Sequence, residues 1–504
     1  MSAEILRVPA DGMAAFGADL ALALRPGDTV FLDGPMGAGK TTLARAILRT
    51  FAGDDALEVP SPTYTLVQPY RLLGRSILHS DLYRLGSADE VEELGLDAEE
   101  DRILLVEWAE RAEGRIGTAD LVVSLFFAGE AERDITLAGS DDALGRWRRS
   151  RLIRSRLNNW RTEGDCRRVP MAADASSRRY ERITTAERTP LILMDAPRQP
   201  DGPPVKDGLP YSRIAHLAEE VMPFVAVTRV LHDAGLSAPR VLGQDLAEGL
   251  LLLDDLGPEG ILDDAGVPIA ERYVEAARAL AAFHGAPPPA EVSVSGHGTY
   301  RFPAYDRGAL EIELSLLPDW YGPHHDRPFS ARERAAFFAA WEAALGRLDR
   351  AEPSLVLRDV HSPNILWLDQ ESGHRRAAFI DHQDAVIGPS AYDLASLAED
   401  ARVDVPETLR GAILDAYADA RRKNARATGA RGFDKDAFAE AYAIMSAQRS
   451  TKILGIFCRL NKRDGKPRYL AHLPRVEAAL RRALAHEALI DVRQTMADLF
   501  PDRF

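Results

Sequence analysis

From Asp11 to Leu24 apolar residues recur at helical spacing, a turn follows at Pro26-Gly27-Asp28, and the short apolar run Thr29 to Leu32 suits a buried strand. Lys40 to Phe51 carries the helical period again. Further strand-like runs lie at Ser76 to His79, Arg102 to Val106 and Asp120 to Phe127, each bounded by charged residues or glycine. This alternation predicts an α/β layer that closes near Gly139-Ser140-Asp141-Asp142. Arg146 to Arg168 is dense in arginine, and could be an RNA-binding strip. Its Trp147, Leu152, Ile153, Leu157 and Trp160 instead form a stripe, which favours a helix with one buried face. Val169 to about Gly257 reads as strands around one helix, and Ile269 to the end as helices with a strand-like insertion from Leu355 to Ile387. The turn-rich stretch Arg198 to Pro210 predicts a mobile surface loop, and no internal repeat is visible.

Composition narrows the class. With 504 residues and 46% hydrophobic content the chain can build more than one core. A formal net charge of −15 argues against a surface that wraps nucleic acid, so any role in RNA metabolism is expected to be indirect. Cys166 and Cys458 stand far apart, which excludes a disulfide framework and a cysteine-held metal, and fits a reducing cytoplasm. The first residues lack the basic-then-apolar order of a secretory signal, and no apolar run approaches the roughly 20 residues of a membrane span.

Gly34-Pro-Met-Gly37-Ala-Gly39-Lys40-Thr41-Thr42 satisfies G-x-x-x-x-G-K-[ST] between a predicted strand and a predicted helix. The glycines let backbone N–H groups turn toward phosphate, Lys40 reaches the β/γ-phosphates of ATP, and the Thr41 hydroxyl suits Mg²⁺. Two carboxylates stand at the carboxyl ends of neighbouring strands: Asp81 after Ser76-Ile-Leu-His-Ser, and Glu107 after Ile103-Leu-Leu-Val. Either could hold the ion's water shell or orient attacking water, and Asp81 is a candidate metal ligand.

GPMGAGKTTLARAIL, SPTYTLVQPY at Ser61 to Tyr70, SDLYRL at Ser80 to Leu85, EELGL at Glu92 to Leu96 and LLVEWAER at Leu104 to Arg111 together resemble TsaE, the ATPase subunit of the bacterial threonylcarbamoyl-adenosine tRNA-modification complex. The resemblance spans about residues 10–140. It implies an ATPase that associates with a transferase subunit and its paralogue and touches tRNA only indirectly. It assigns function to Lys40, Thr41 and Thr42, to Ser61 and Thr63, to Asp81 and Glu107, and to Trp108.

A second site lies in Leu357-Arg358-Asp359-Val-His361-Ser-Pro-Asn364, where an Asp precedes an Asn by five positions. In phosphotransferases of the protein-kinase type one tight loop serves nucleophile and metal together, which makes Asp359 the base and Asn364 a Mg²⁺ ligand. Phe379-Ile380-Asp381 supplies a further carboxylate just after a strand, a second ligand for the ion. Asp393 is expected to brace the loop's backbone, while His361 and His382 read equally as substrate contacts or as buried histidines with ordinary partners.

These residues, with AADASSRRYERI at Ala172 to Ile183, LILMDAPRQPD at Leu191 to Asp201, LLLDDLG at Leu251 to Gly257 and FIDHQDAVIGPSAYDLASL at Phe379 to Leu397, resemble the aminoglycoside phosphotransferase family, and within it the kinases of the anomeric hydroxyl of N-acetylmuramate or N-acetylglucosamine. The resemblance spans about residues 150–490 and implies a bilobal kinase fold, with adenine near Asp254-Asp255-Leu256 and an amino sugar facing Asp359. The chain departs from the family pattern in three places. Leu357 replaces the usual histidine, no glycine-rich loop precedes the first hairpin, and the third strand lacks its phosphate-pairing lysine, Lys206 being the only lysine between Val169 and Gly257. Arg178 or Arg179 could take over that phosphate contact with a guanidinium fork. The aromatic and acidic segment His297 to Tyr321 would suit a sugar pocket or an ordinary helix edge.

The expected architecture is therefore an α/β P-loop NTPase domain over residues 1–145, followed over 146–504 by a bilobal, protein-kinase-like α+β domain of the aminoglycoside phosphotransferase type. Its small lobe covers about 165–257 and its large lobe about 258–504. Both sites would use ATP and Mg²⁺ in the cytoplasm, with no membrane partner. Two rivals keep part of this reading: a kinase of an aminoglycoside or other small alcohol, and a non-catalytic scaffold that docks the ATPase.

Overall fold

The computed structural model describes residues 2–72, 74–97, 99, 101–129, 131–160, 166–171, 178–185, 190–428 and 432–504. The chain divides into two compact units, Met1–Asp195 and Ala196–Phe504.

In the first unit, β1 (Ser2–Pro9), α1 (Met13–Ala23), β2 (Thr29–Asp33), α2 (Lys40–Ala52), β3 (Val67–Leu72), β4 (Arg75–Asp81), β5 (Ile103–Glu107), β6 (Leu121–Phe127) and β7 (Glu132–Gly139) build one seven-stranded sheet of order β1-β7-β6-β2-β5-β4-β3. β6, β2, β5 and β4 run parallel at its centre, and antiparallel neighbours close both edges. β5, covered on both faces, is an apolar run up to Glu107 with all five residues buried, and β2 and β6 are mostly apolar. Leu20, Leu43, Ile47, Phe51 and Trp147 join Val30, Leu105 and Val123 in the core. The predicted helices and central strands are all present; β1, β3 and β7 were not foreseen.

α3 (Asp141–Asn159) opens with Ser140 accepting from the Ala143 N–H at 3.2 Å, and buries Trp147, Ile153 and Leu157 from the predicted stripe. Its arginines are engaged within the unit. Arg146 pairs with Asp28 at 2.7 Å, Arg149 with Asp195 at 2.7 Å and Arg154 with Asp19 at 2.9 Å, so these three serve packing and not an RNA strip. β8 (Arg167–Pro170), β9 (Arg179–Thr184) and β10 (Pro190–Asp195) follow as an antiparallel ribbon with β9 in the middle. The Ala172–Ser177 part of the family-like hairpin lies outside the described residues.

The second unit begins with the stretch expected as a loop, which contains a short antiparallel pair, Pro204–Lys206 with Leu209–Pro210. A hairpin follows, Val241–Asp245 with Leu250–Asp254. The remainder is helical around three small strand pairs: Glu291–Val294 with Gly298–Arg301, Pro353–Val356 with Val386–Pro389, and Ile365–Trp367 with Ala377–Phe379. Two apolar cores support them. One gathers Trp341, Leu454 and Leu480 beneath the helix Lys435–Asp464, and the other gathers Tyr273, Leu280, Leu357 and Phe379.

Candidate functional site

In the first unit the parallel register sets Asp81 opposite Glu107, and Leu32 opposite Glu107 on the other side, so the chain leaves β2 for the P-loop beside both carboxylates. Gly34 turns that corner at φ +130°, where a Cβ would meet the Leu125 carbonyl oxygen at 2.2 Å. The helix α2 starts at Lys40 with its N-terminus on this face. The Lys40 ammonium donates to the Gly34 and Pro35 carbonyls at 2.7 and 3.1 Å, and lies 3.8 Å above the Trp108 ring. Burial lowers the pKa of Lys40, against the opposing pull of Glu107, Glu110, Asp81 and Asp33.

Both carboxylates are buried and fully engaged. Glu107 Oε2 accepts from the Thr41 hydroxyl at 3.0 Å, and Glu107 Oε1 lies 3.0 Å from His79 Nε2. Asp81 Oδ2 accepts from the Ser61 and Thr63 hydroxyls at 3.1 and 2.6 Å. Thr41, Ser61, Thr63, Asp81 and Glu107, with Gly37, Gly39 and Thr42, line a cleft of about 350 Å³. Its donor set consists of hydroxyl and carboxylate oxygens, the hard ligands that suit Mg²⁺. His79 escaped the sequence reading because its role appears only once β4 lies beside β5.

In the second unit the loop 357–364 joins the strands Pro353–Val356 and Ile365–Trp367. Asp393, wholly buried, accepts from the Leu357 and Arg358 backbone N–H groups at 2.8 and 2.9 Å, the bracing expected of it. Asn364 Nδ2 donates to the Asp359 carbonyl oxygen at 3.1 Å, and the Asn364 carbonyl accepts from the Ile380 N–H at 3.0 Å. The last bond continues the pairing of Ile365 with Phe379 and brings the end of that strand, and with it Asp381, to the loop. Arg358 and Asp381 both take left-handed backbone, at φ 69° and 56°. Gln383 Nε2 donates to Asp381 Oδ1 at 3.0 Å. The Asn364 amide oxygen and the Asp381 carboxylate again form a hard set that fits Mg²⁺.

Beneath the loop lies a charge cluster that the sequence did not disclose. Glu313, wholly buried, accepts from Tyr305 Oη at 2.5 Å, Gln448 Nε2 at 2.9 Å and Lys452 Nζ at 3.1 Å, and pairs with Arg358. Burial pushes Glu313 up, but Lys452 and Arg358 outweigh it and hold the carboxyl below its usual range. Burial likewise pushes the Asp359 carboxyl up. In the acid range, where His361 carries its proton, that charge and those of Lys452, Arg358 and Arg449 outweigh the push and hold the carboxyl below its usual range, so Asp359 is an anion well before neutral pH. His361, depressed to about 4 first by burial and then by Arg402, is neutral there.

Other sequence candidates in the second unit have ordinary local partners. His382 packs on Phe224 and lies 3.2 Å from the Thr228 hydroxyl, an ordinary buried histidine. Lys206 pairs with Glu311 at 3.2 Å. Asp306 caps the helix Arg307–Leu314, and Arg301 pairs with Glu291, so these two serve local structure. Arg178 and Arg179 stand at the start of β9 in the first unit, where the Arg179 charge contributes to lowering Arg25, after burial and Arg146. Lys452, Gln448 and Arg449 had one signal: consecutive polar residues inside an otherwise apolar helix, where each buried polar group needs a partner.

Residues 9–135 match the family described as threonylcarbamoyl adenosine biosynthesis protein TsaE, and residues 168–428 match the phosphotransferase enzyme family. An N-acetylmuramate/N-acetylglucosamine kinase of Caulobacter vibrioides is 36% identical over 340 residues, 66% of this chain and 91% of the relative. Its counterpart in Pseudomonas aeruginosa is 34% identical over 339 residues, covering 66% and 88%. A tRNA threonylcarbamoyladenosine biosynthesis protein TsaE of Haemophilus influenzae is 42% identical over 110 residues, 21% of this chain and 68% of the relative.

Proposed function

Because the chain belongs both to the TsaE family, over residues 9–135, and to the phosphotransferase enzyme family, over residues 168–428, we propose that it is a bifunctional enzyme. Its first part is an ATPase that supports threonylcarbamoyl-adenosine tRNA modification, with a transferase subunit and its paralogue as partners and tRNA met only through them. Its second part is an ATP-dependent kinase of the anomeric hydroxyl of N-acetylmuramate or N-acetylglucosamine, acting in cell-wall recycling. The family boundary falls near residues 145–146. No described helix is long and apolar enough to cross a membrane, and the cytoplasm, where ATP is held, is the compartment that suits both activities.

The observation that carries the kinase reading is the loop 357–364 itself, in which one side chain, Asn364, is bonded to the Asp359 carbonyl while its own carbonyl receives the strand that leads to Asp381. Asp359, ionised at neutral pH, accepts the proton of the anomeric hydroxyl as the oxygen attacks the γ-phosphorus. Asn364 and Asp381 would hold Mg²⁺. When bound, that ion neutralises charge on the transferring phosphoryl group. Asp393 keeps the loop's backbone in place. In the first site Lys40 grips the β/γ-phosphates, Thr41 and Asp81 would hold Mg²⁺, and Glu107, fixed by His79, orients the attacking water.

The test is a crossed pair of variants assayed for ATP hydrolysis, with the partner subunits present, and for sugar 1-phosphate formation. Lys40→Ala removes hydrolysis and spares sugar phosphorylation. Asp359→Asn lowers sugar phosphorylation by about three orders of magnitude and spares hydrolysis. Loss of both activities in either variant would refute two separable sites.

A further inference from the structure

Most arginines near the catalytic loop are neutralised within the chain, as Arg358 is by Glu313. Two are not. Arg449 is only 4% exposed, yet its one hydrogen bond among the described residues is a long contact from Nη1 to the Glu399 carbonyl at 3.5 Å. Arg402 is half-buried, donates its backbone N–H to Asp400 Oδ1 at 2.8 Å, and sets Nη1 3.0 Å from His361 Nε2, without a carboxylate on its guanidinium. A buried guanidinium without an anion is costly. Both charges act on the catalytic loop: Arg449 on Asp359 and His361, Arg402 on His361. A polycationic acceptor such as an aminoglycoside would be repelled from this side of Asp359, whereas an anionic acceptor would be drawn to it.

We propose that Arg449 and Arg402 form a carboxylate-recognising wall beside Asp359 that selects amino sugars bearing an acidic ether side chain over neutral ones. This rests on the sugar-kinase reading and deepens it. N-acetylmuramate is N-acetylglucosamine with a lactyl ether added, so the two differ by one carboxylate, the group that a guanidinium fork grips with paired hydrogen bonds.

The experiment measures kcat/KM for both sugars, and for N-acetylmuramate with its carboxylate converted to an amide, in the full chain. The wild type should prefer N-acetylmuramate over the amide. In Arg449→Gln and Arg402→Gln the ratio of kcat/KM for N-acetylmuramate to that for N-acetylglucosamine should fall at least tenfold, through KM, and Arg449→Lys should recover part of it. An unchanged ratio in both variants overturns the inference, including a parallel loss on both sugars, which would assign the arginines to the phosphoryl group instead. Should Arg449→Gln fail to fold, Arg402→Gln and the amide decide alone. Wild-type protein inactive on both sugars overturns the sugar-kinase reading and this inference with it.

Discussion

Glu313 is a residue whose importance only the folded chain reveals. Its carboxyl sits among Arg358, Lys452, Tyr305 and Gln448, with a pKa below the usual value because those cations outweigh burial. A depressed carboxyl stabilises the fold fully above its unfolded pKa of about 4.3, and that contribution disappears as pH falls through the lower, folded value. Urea midpoints should therefore hold steady from pH 7 to 5 and drop steeply below about pH 4.3. Glu313→Gln should be less stable at pH 7 by about 3–5 kcal/mol, since it strands two buried cations, and should show a shallower acid decline. By contrast, Lys40, Thr41, Asp81, Glu107, Asp359, Asn364 and Asp381 were legible one by one. Each stands in a short motif or at a strand end, where spacing alone implies chemistry. Glu313 meets Gln448 and Lys452 only through tertiary packing across more than a hundred residues, which no local pattern encodes.

At the scale of elements, the pattern disclosed what is buried on both sides and missed what lies at an edge. β2, β5 and β6 are apolar runs, while β1 and β3, at the two edges of the sheet, alternate half-exposed and exposed positions, and β3 contains Pro69. Such segments resemble loops in sequence because the edge side needs no apolar cover. The loop 357–364 has a related dependence. It is short and irregular, and its first two N–H groups are satisfied by Asp393 from the helix Ala391–Ala398. Asp393→Ala should leave two buried donors without an acceptor, at about 1–3 kcal/mol each. Sugar phosphorylation should fall about 10–100-fold in kcat with little change in ATP hydrolysis by the first site, as steady-state assays of both activities would record. A normal kcat would mean that the loop holds itself.

For the molecule as a whole, the phosphotransferase match begins at residue 168, but the first compact unit extends to Asp195. The reason is visible at Arg168, which is 3% exposed and joins elements from both families' territory. Its guanidinium donates to Asp19 Oδ1 on α1 at 3.1 Å, to the Ser150 carbonyl on α3 at 2.9 Å, and to both oxygens of Glu181 on β9 at 2.7 and 3.0 Å. Arg154 closes the cluster on Asp19 at 2.9 Å. Arg168→Ala should destabilise the unit by about 3–5 kcal/mol in chemical denaturation, because Asp19 and Glu181 lose their common partner. A shift of under about 1 kcal/mol would mean that solvent replaces it.

The same arginine bears on how such a fused polypeptide could ever come apart. Scission between α3 and β8 would leave Asp19 to Arg154 alone on one fragment, while on the other Arg168 would keep Glu181 but lose Asp19 and the Ser150 carbonyl. Each liberated fragment inherits half of a salt cluster, so a descendant that separates the genes must first acquire compensating changes on both sides of the cut.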